Sequence, residues 1–111
     1  MSTTITLPAP VAAYLSAKQA HDSDGMLAAL TEDAVITDEG REYQGAEAIR
    51  AWNDKASKAL GVTYAVEDVA AVGERTVLAV RVAGNFPGSP VTLYFYFTLR
   101  DDLVAALTIL A

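Results

Sequence analysis

Residues 31–52 are the part of the sequence that most limits how this chain can fold. Here a β-branched segment at 35–37 leads into Asp38, a Glu-Gly turn follows, and a helix begins soon afterwards. Alternate side chains of an extended strand share a face, so Ala34, Ile36 and Asp38 point the same way. A fold that buries this strand must therefore place a carboxylate at the end of an apolar face.

Asp38 has two interpretations at this point. If its face lines a cavity, loss of solvent makes the carboxylate a candidate acid or base. Alternatively, Asp38 simply starts the turn by accepting a hydrogen bond from the backbone that follows it. The spacing of the residues is compatible with both.

The composition excludes several classes of protein. A chain of 111 residues with 52% hydrophobic content predicts one domain over 1–111, with a core that needs neither metal nor disulfide. The absence of cysteine and the single His21, expected to be exposed, exclude thiolate catalysis and sites built from several histidines or cysteines. Eight basic residues, spread singly among fourteen acidic ones, give a net charge of −6, so nucleic acid is not an expected partner.

The sequence contains no run close to the ~20 apolar residues of a membrane span and no basic leader segment, so a cytoplasmic protein without a membrane partner is expected. It also contains neither a glycine-rich phosphate loop nor a cluster of metal ligands. No cofactor is therefore expected, and any chemistry would be acid/base work by side chains.

Two helices are predicted before residue 30. Pro8 or Pro10 suits the first turn of a helix that reaches about residue 20, and its inward stripe consists of Val11, Tyr14, Leu15 and Lys18. Tyr14 thus carries a phenol into the interior, where it needs a partner. Asp22 or Ser23 can cap a second, short helix.

A third helix is expected to begin at Gly45 and to bury a stripe that includes Ile49, Trp52 and Leu60. Trp52 is a core residue in this interpretation, and it can also shape the mouth of a cavity. Asn53 and its two successors are expected on the solvated face.

Four strands are predicted at 62–72, 76–84, 91–100 and 103–109, and their short links indicate an antiparallel meander. The third of these strands has two different faces. Tyr94 and Tyr96 lie on a hydroxyl-bearing face that suits a semi-polar cavity or an exposed surface. The other face is dry and belongs against helices, a second sheet or a partner subunit; it consists of Val91, Leu93, Phe95, Phe97 and Leu99.

Arg81 lies alone in an apolar run, so it either faces solvent or is a buried cation that needs an acid such as Asp38. A sheet with two apolar faces has one face more than three short helices can cover, so a homodimer through the sheet is expected. One hypothesis is that the dry face of the strand at 91–100 forms the contact between the two subunits.

Three segments resemble those of a known group of proteins: Asp33-Ala34-Val35, Asp38-Glu39-Gly40 and the run at 43–52 that ends in Trp52. With the order of the predicted elements, they resemble the nuclear transport factor 2-like superfamily, specifically its SnoaL-like and ketosteroid isomerase-like bacterial members. The resemblance covers nearly the whole chain. It implies an α+β, cone-shaped fold with three N-terminal helices packed on a curved, mainly antiparallel sheet.

In ketosteroid isomerases an aspartate base moves a proton beside an oxyanion hole made of a tyrosine and a protonated aspartate. The resemblance places Asp38 at the position of the base and Tyr14 at that of the tyrosine. The second acid would fall near Tyr96, where this sequence has no carboxylate, so Tyr14 and Tyr96 remain as donors to a developing enolate. Related polyketide cyclases use an aspartate and little else, and the Asp-Arg-Asp set of limonene epoxide hydrolases is not visible here.

The sequence therefore predicts a protein with a pocket for a small molecule, in which Asp38 and Tyr14 act on a small apolar carbonyl compound as an isomerase or cyclase would. Candidate ligand-binding residues are Trp52, Arg81, Tyr94 and Tyr96. The alternatives are a module that binds an apolar ligand without chemistry and a dimeric interaction module.

Overall fold

The structure, a computed structural model, describes residues 7–58 and 61–111, without the side chains of 56–58. In this part of the chain it consists of three helices and six strands. The helices are α1 (Ala9–Gln19), α2 (Ser23–Ala28) and α3 (Ala46–Lys58). The strands are β1 (Leu30–Asp38), β2 (Arg41–Gln44), β3 (Thr63–Val72), β4 (Arg75–Ala83), β5 (Val91–Arg100) and β6 (Leu103–Leu110).

The strands form one six-stranded sheet in the order β2-β1-β6-β5-β4-β3. The expected antiparallel meander over β3 to β6 is confirmed. The first strand, however, pairs in parallel with the last, and Asp38 is aligned with Ile109. The fold is thus α+β with a mixed sheet. Helix α3 follows the strand that ends in Asp38, as its predicted start at Gly45 required, so the description of three N-terminal helices fits only roughly.

The β1–β2 hairpin fixes the position of Asp38. Its two-residue turn consists of Glu39 and Gly40, with φ values of 53° and 76°. Positive φ at both turn residues suits the right-handed twist of the paired strands. The turn therefore needs no help from the Asp38 side chain, whose alignment with Arg41 across the hairpin is set by the backbone.

The helices cover one face of the sheet, called here the inner face. Tyr14 of α1 packs edge-on against Phe97 of β5, with ring centroids 5.5 Å apart. Phe95 and Phe97 are fully buried, so the dry face of β5 lies inside the chain's own core. The hypothesis that this face forms a dimer contact is therefore wrong, because α1 of the same chain already covers the face.

The opposite, outer face of the sheet carries no helix among the described residues. Tyr94 and Leu110 are aligned on neighbouring strands and are 42% and 50% exposed. Tyr96 and Thr108 are aligned next to them and are partly buried. The sheet thus has one face in the core and one face at the surface.

The helix boundaries follow local signals. The Asp22 side chain accepts a hydrogen bond from the Gly25 N–H at 3.0 Å and caps α2, as one of the two predicted alternatives had it. Leu60, the last residue of the predicted stripe of α3, lies outside the described residues, and Gly61 beyond it has a φ of 52°. Over the described ranges, no helix combines the length and apolar character needed to cross a membrane.

The placement of β5 makes a prediction about stability. Phe97→Ala should lower the free energy of unfolding by about 3–5 kcal/mol because it empties a fully buried site. Thr92→Ala, on the exposed face of the same strand, should cost less than about 1 kcal/mol. Denaturant unfolding of both variants checks this, and equal losses would contradict the assignment of the faces.

Candidate functional site

Asp38 is the last residue of β1, and its side chain lies on the inner face of the sheet, next to α3. The indole N–H of Trp52, on α3, donates a hydrogen bond to Asp38 Oδ2 at 3.1 Å. Trp52 in turn packs against Tyr43 of β2, with ring centroids 5.8 Å apart. The carboxylate is therefore oriented by a side chain that is itself held in place, while its other oxygen accepts no side-chain hydrogen bond from the described residues.

A cavity of about 210 Å³ lies between this end of β1 and the inner face of the sheet. The carboxylate of Asp38 and the ammonium of Lys18 are the charged groups on its lining. Most of the rest is apolar or aromatic, with Tyr64 as a further polar group. The lining consists of Lys18, Asp38, Trp52, Val62, Tyr64, Val82, Phe86, Leu93, Phe95 and Ile109.

Lys18 is a residue of the site whose role could not be predicted from the sequence. Its position on the inward stripe of α1 was predicted, but a charged end there was assigned no role. The side chain is only 3% exposed, and Nζ donates a hydrogen bond to Asn53 Oδ1 at 2.7 Å. Nζ also lies 4.0 Å from the centroid of the Trp52 ring, which attracts a cation over its face.

Burial affects the acidity of this lysine. Loss of solvent lowers the pKa of Lys18 to about 8, while the negative charge of Asp38 acts in the opposite direction. At neutral pH the ammonium form therefore predominates. The same cavity thus contains a cation and a carboxylate, and the indole of Trp52 contacts both.

Asn53 corrects the prediction that its stretch of α3 is solvated. It is fully buried, because it lies one turn after buried Ile49 on the same side of the helix. Its amide accepts from Lys18 and donates to Ser23 Oγ at 3.0 Å, and Ser23 donates to Asp54. This chain of hydrogen bonds joins α1, α2 and α3 and satisfies a polar group that would otherwise be costly to bury.

Two tyrosines lie near the carboxylate. Burial raises the pKa of Tyr64 to about 12, and the charge of Asp38 adds to the effect. Burial also raises the pKa of Tyr14 well above its usual range, with smaller contributions from Tyr64 and Asp38. The Tyr14 hydroxyl has no hydrogen-bond partner among the described residues, and Tyr14 is not one of the residues that line the cavity.

A second space opens on the other side of the Asp38–Trp52 pair. It is a groove of about 680 Å³ between the β1–β2 hairpin and α3. Asp38 and Trp52 line both the groove and the cavity, so this one hydrogen-bonded pair separates them. Further residues of the groove are Glu39, Arg41, Tyr43, Ala48, Ala51 and Lys55.

The structure does not bring three of the predicted ligand-binding residues to this site. Arg81, Tyr94 and Tyr96 lie on the outer face, because each alternates with residues that point into the core. Of the two alternatives for Arg81, exposure to solvent is the correct one. The described ranges also bring together no cluster of three metal-ligating acids or histidines.

Comparisons with known proteins identify the family of this chain. A SnoaL-like domain family matches residues 11–107. The crystal structure of a candidate polyketide cyclase from Sinorhizobium meliloti is 37% identical with a TM-score of 0.88, and the match covers 93% of this chain and 94% of that one. No curated protein matches the sequence.

Two more distant structures share the fold. A protein from Catenulispora acidiphila with a ketosteroid isomerase-like fold, solved in complex with trimethylamine, is 16% identical with a TM-score of 0.82; the match covers 96% of this chain and 87% of that one. A computationally designed 17-OHP binder is 20% identical with a TM-score of 0.78, over 93% and 88% of the two chains. The chain belongs to the SnoaL-like domain family, as its sequence had indicated.

The buried lysine makes a prediction about pH. The pKa of Lys18 is about 8 in the folded state and ~10.4 in an unfolded chain, so between these values the unfolded state binds more protons. The free energy of unfolding should therefore rise with pH, by about 1.5 kcal/mol between about pH 8 and pH 9.5. Above about pH 10 the buried tyrosines reverse the trend, because they stay protonated only in the folded state.

Lys18→Met supplies the control, since it keeps the length and removes the charge. Subtracting its unfolding free energies from those of the wild type isolates the contribution of Lys18. Trp52 is the only tryptophan, so its fluorescence should titrate near pH 8 in the wild type and not in the variant. Parallel pH profiles for the two proteins would contradict a buried, titrating Lys18.

Proposed function

We propose that this protein is a cofactor-free acid/base enzyme that acts on a small apolar carbonyl compound, in the manner of an isomerase or a cyclase. The observation that carries the proposal is the position of Asp38. Its carboxylate lines an otherwise largely apolar cavity, is oriented by Trp52, and has one oxygen without a side-chain donor among the described residues. That arrangement suits a general base.

The proposed step transfers one proton and needs no other reactant. Asp38 takes a proton from the carbon next to a carbonyl group, and the electrons of the broken C–H bond form a carbon–carbon double bond. The carbonyl π electrons move to the oxygen, which becomes anionic. Return of the proton to another carbon completes an isomerisation. Alternatively, the enolate carbon attacks a second carbonyl of the same molecule and closes a ring, and the alkoxide so formed takes the proton back from Asp38.

Tyr14 is proposed as a donor to that oxygen. Its hydroxyl is fully buried without a partner among the described residues, and the charge of Asp38 is one of the smaller causes of its raised pKa. A ligand oxygen would supply the missing acceptor.

The proposal also has support from the family. The relative from Sinorhizobium meliloti, described as a candidate polyketide cyclase, is similar over nearly its whole length. Cyclisation of an enolisable carbonyl compound is the chemistry proposed for Asp38. We also propose that the sheet curves around the helices to form a cone, and that the cavity is the interior of this cone.

The direct test is exchange of carbon-bound hydrogen. In deuterium oxide, wild-type protein should catalyse loss of the α-proton signals of small cyclic ketones and β-diketones. Asp38→Asn should lower the rate by roughly 10²- to 10⁴-fold, because the amide keeps the shape and removes the base. Proton NMR of the probe gives the rate.

Glu42→Gln is the matched control, since Glu42 is exposed on β2 beside Thr37, on the other face of the same hairpin. It should exchange at the wild-type rate. Equal rates for Asp38→Asn and wild type would rule out Asp38 as the base, and saturable binding without exchange would establish the alternative, a module that binds apolar ligands.

We further propose a homodimer through the outer face of the sheet. That face is uncovered in the described part of the chain and presents aromatic and aliphatic side chains, with Tyr94 and Leu110 aligned and half exposed. The continuous surface extends across β4, β5 and β6, where Val77, Ala79 and Tyr96 are only partly exposed. A second copy of the same face would be complementary to it in chemistry.

Light scattering after size-exclusion chromatography tests the dimer. Wild type should elute as a dimer at micromolar concentration, and Tyr94→Lys should shift it to a monomer because two charges would be buried at the contact. Ser16→Lys adds the same charge to the exposed side of α1 and should leave the dimer intact. A wild-type monomer would end this proposal and leave the Asp38 chemistry untouched.

A further inference from the structure

Lys18 is a buried cation that the proton transfer at Asp38 does not use. An ammonium has three N–H groups. One is donated to Asn53, and the Trp52 ring lies against the nitrogen. No other acceptor for Lys18 occurs among the described residues, while the side chain lines the cavity.

We infer that Lys18 binds the negatively charged oxygen of the ligand, so that the protein selects compounds whose oxygen is, or becomes, anionic. The ligand would be a small apolar molecule with an enolisable carbonyl or a carboxylate at one end. The inference rests on the proposed function for its enolate form, but binding of a carboxylate requires no turnover.

The charges in the cavity explain why a cation belongs there. Before proton transfer, the negative charge is on Asp38, and afterwards Asp38 is neutral and the charge is on the ligand oxygen. Lys18 lines the same cavity before and after the transfer, so the negative charge has a cation nearby in both states. Apart from Asp38, no acid lines the cavity among the described residues, so Lys18 is the charged donor available to a ligand oxygen.

Lys18 and Tyr14 reach the interior from the same helix. They are four residues apart on α1, so both side chains project from one side of it, and both are fully or almost fully buried. A ligand oxygen near this side of the cavity would meet the ammonium, because Lys18 lines the cavity and Tyr14 does not. The apolar part of the ligand would lie against Leu93 and Phe95 on the opposite side of the cavity.

The test compares two probes of nearly equal shape, cyclohexylacetate and its neutral amide, cyclohexylacetamide. Asp38→Asn protein is the best receptor, because it reproduces the charges that follow proton transfer. Quenching or enhancement of Trp52 fluorescence reports binding, since no other tryptophan is present. Because Trp52 lines both spaces, the Lys18 and Lys55 variants distinguish binding in the cavity from binding in the groove. Cyclohexylacetate should bind roughly 10- to 100-fold more tightly than the amide.

Adding Lys18→Met to the same protein should abolish that preference, because cyclohexylacetate then loses an ion pair whereas the amide loses at most a hydrogen bond to a neutral oxygen. Adding Lys55→Met, which removes a cation from the groove and not from the cavity, should leave the preference unchanged. Circular dichroism confirms that each variant is folded.

Three results would overturn the inference: equal affinity for the two probes, a preference that survives Lys18→Met, or no saturable binding of cyclohexylacetate. None of them depends on hydrogen exchange, so the failure of the proposed Asp38 chemistry is a separate result. Conversely, a carboxylate preference in a protein without exchange activity would identify an anion-binding module.

Discussion

The buried ammonium of Lys18 is the interaction on which the arrangement of this end of the molecule depends. A charge inside an apolar core is tolerated only when neighbouring groups replace the water it has lost. Asn53 does so by a short hydrogen bond, and Trp52 does so with the face of its ring. Because Asn53 is also joined to Ser23, the cation holds α1, α2 and α3 in a fixed relation.

The same contacts orient the candidate base. With its face occupied by Lys18, the indole of Trp52 presents its N–H edge to Asp38. One side chain therefore connects a cation and a carboxylate of the same cavity and separates that cavity from the groove outside. Lys18 therefore affects stability and function in opposite directions. Replacing it removes the free-energy cost of burying a charge, but it also removes the group proposed to bind an anionic oxygen.

Much of the fold could be predicted from the sequence because its signals are local. The strand that ends in Asp38, the capped second helix and the four-strand meander follow from alternation, capping residues and turns. The two faces of β5 were also separated correctly, but alternation does not tell which face points inward. Tyr94, Tyr96 and Arg81 were assigned to the site for that reason, whereas the dry face with Leu93 and Phe95 lines the cavity. Asn53 was assigned to the solvated face because of its polarity, although its helical spacing from Ile49 pointed inward. Lys18 was placed on the inward stripe of its helix, but that position alone indicated no role for the ammonium.

The parallel pairing of β1 with β6 could not be predicted, since it joins segments far apart in the sequence. Its consequence concerns the order of folding. Contacts between distant segments form slowly, because a long loop must close before they contribute. The strand that carries Asp38 can take its place between β2 and β6 only after the last strand has been made. During synthesis on the ribosome, the candidate active site therefore cannot be completed until β6 has emerged.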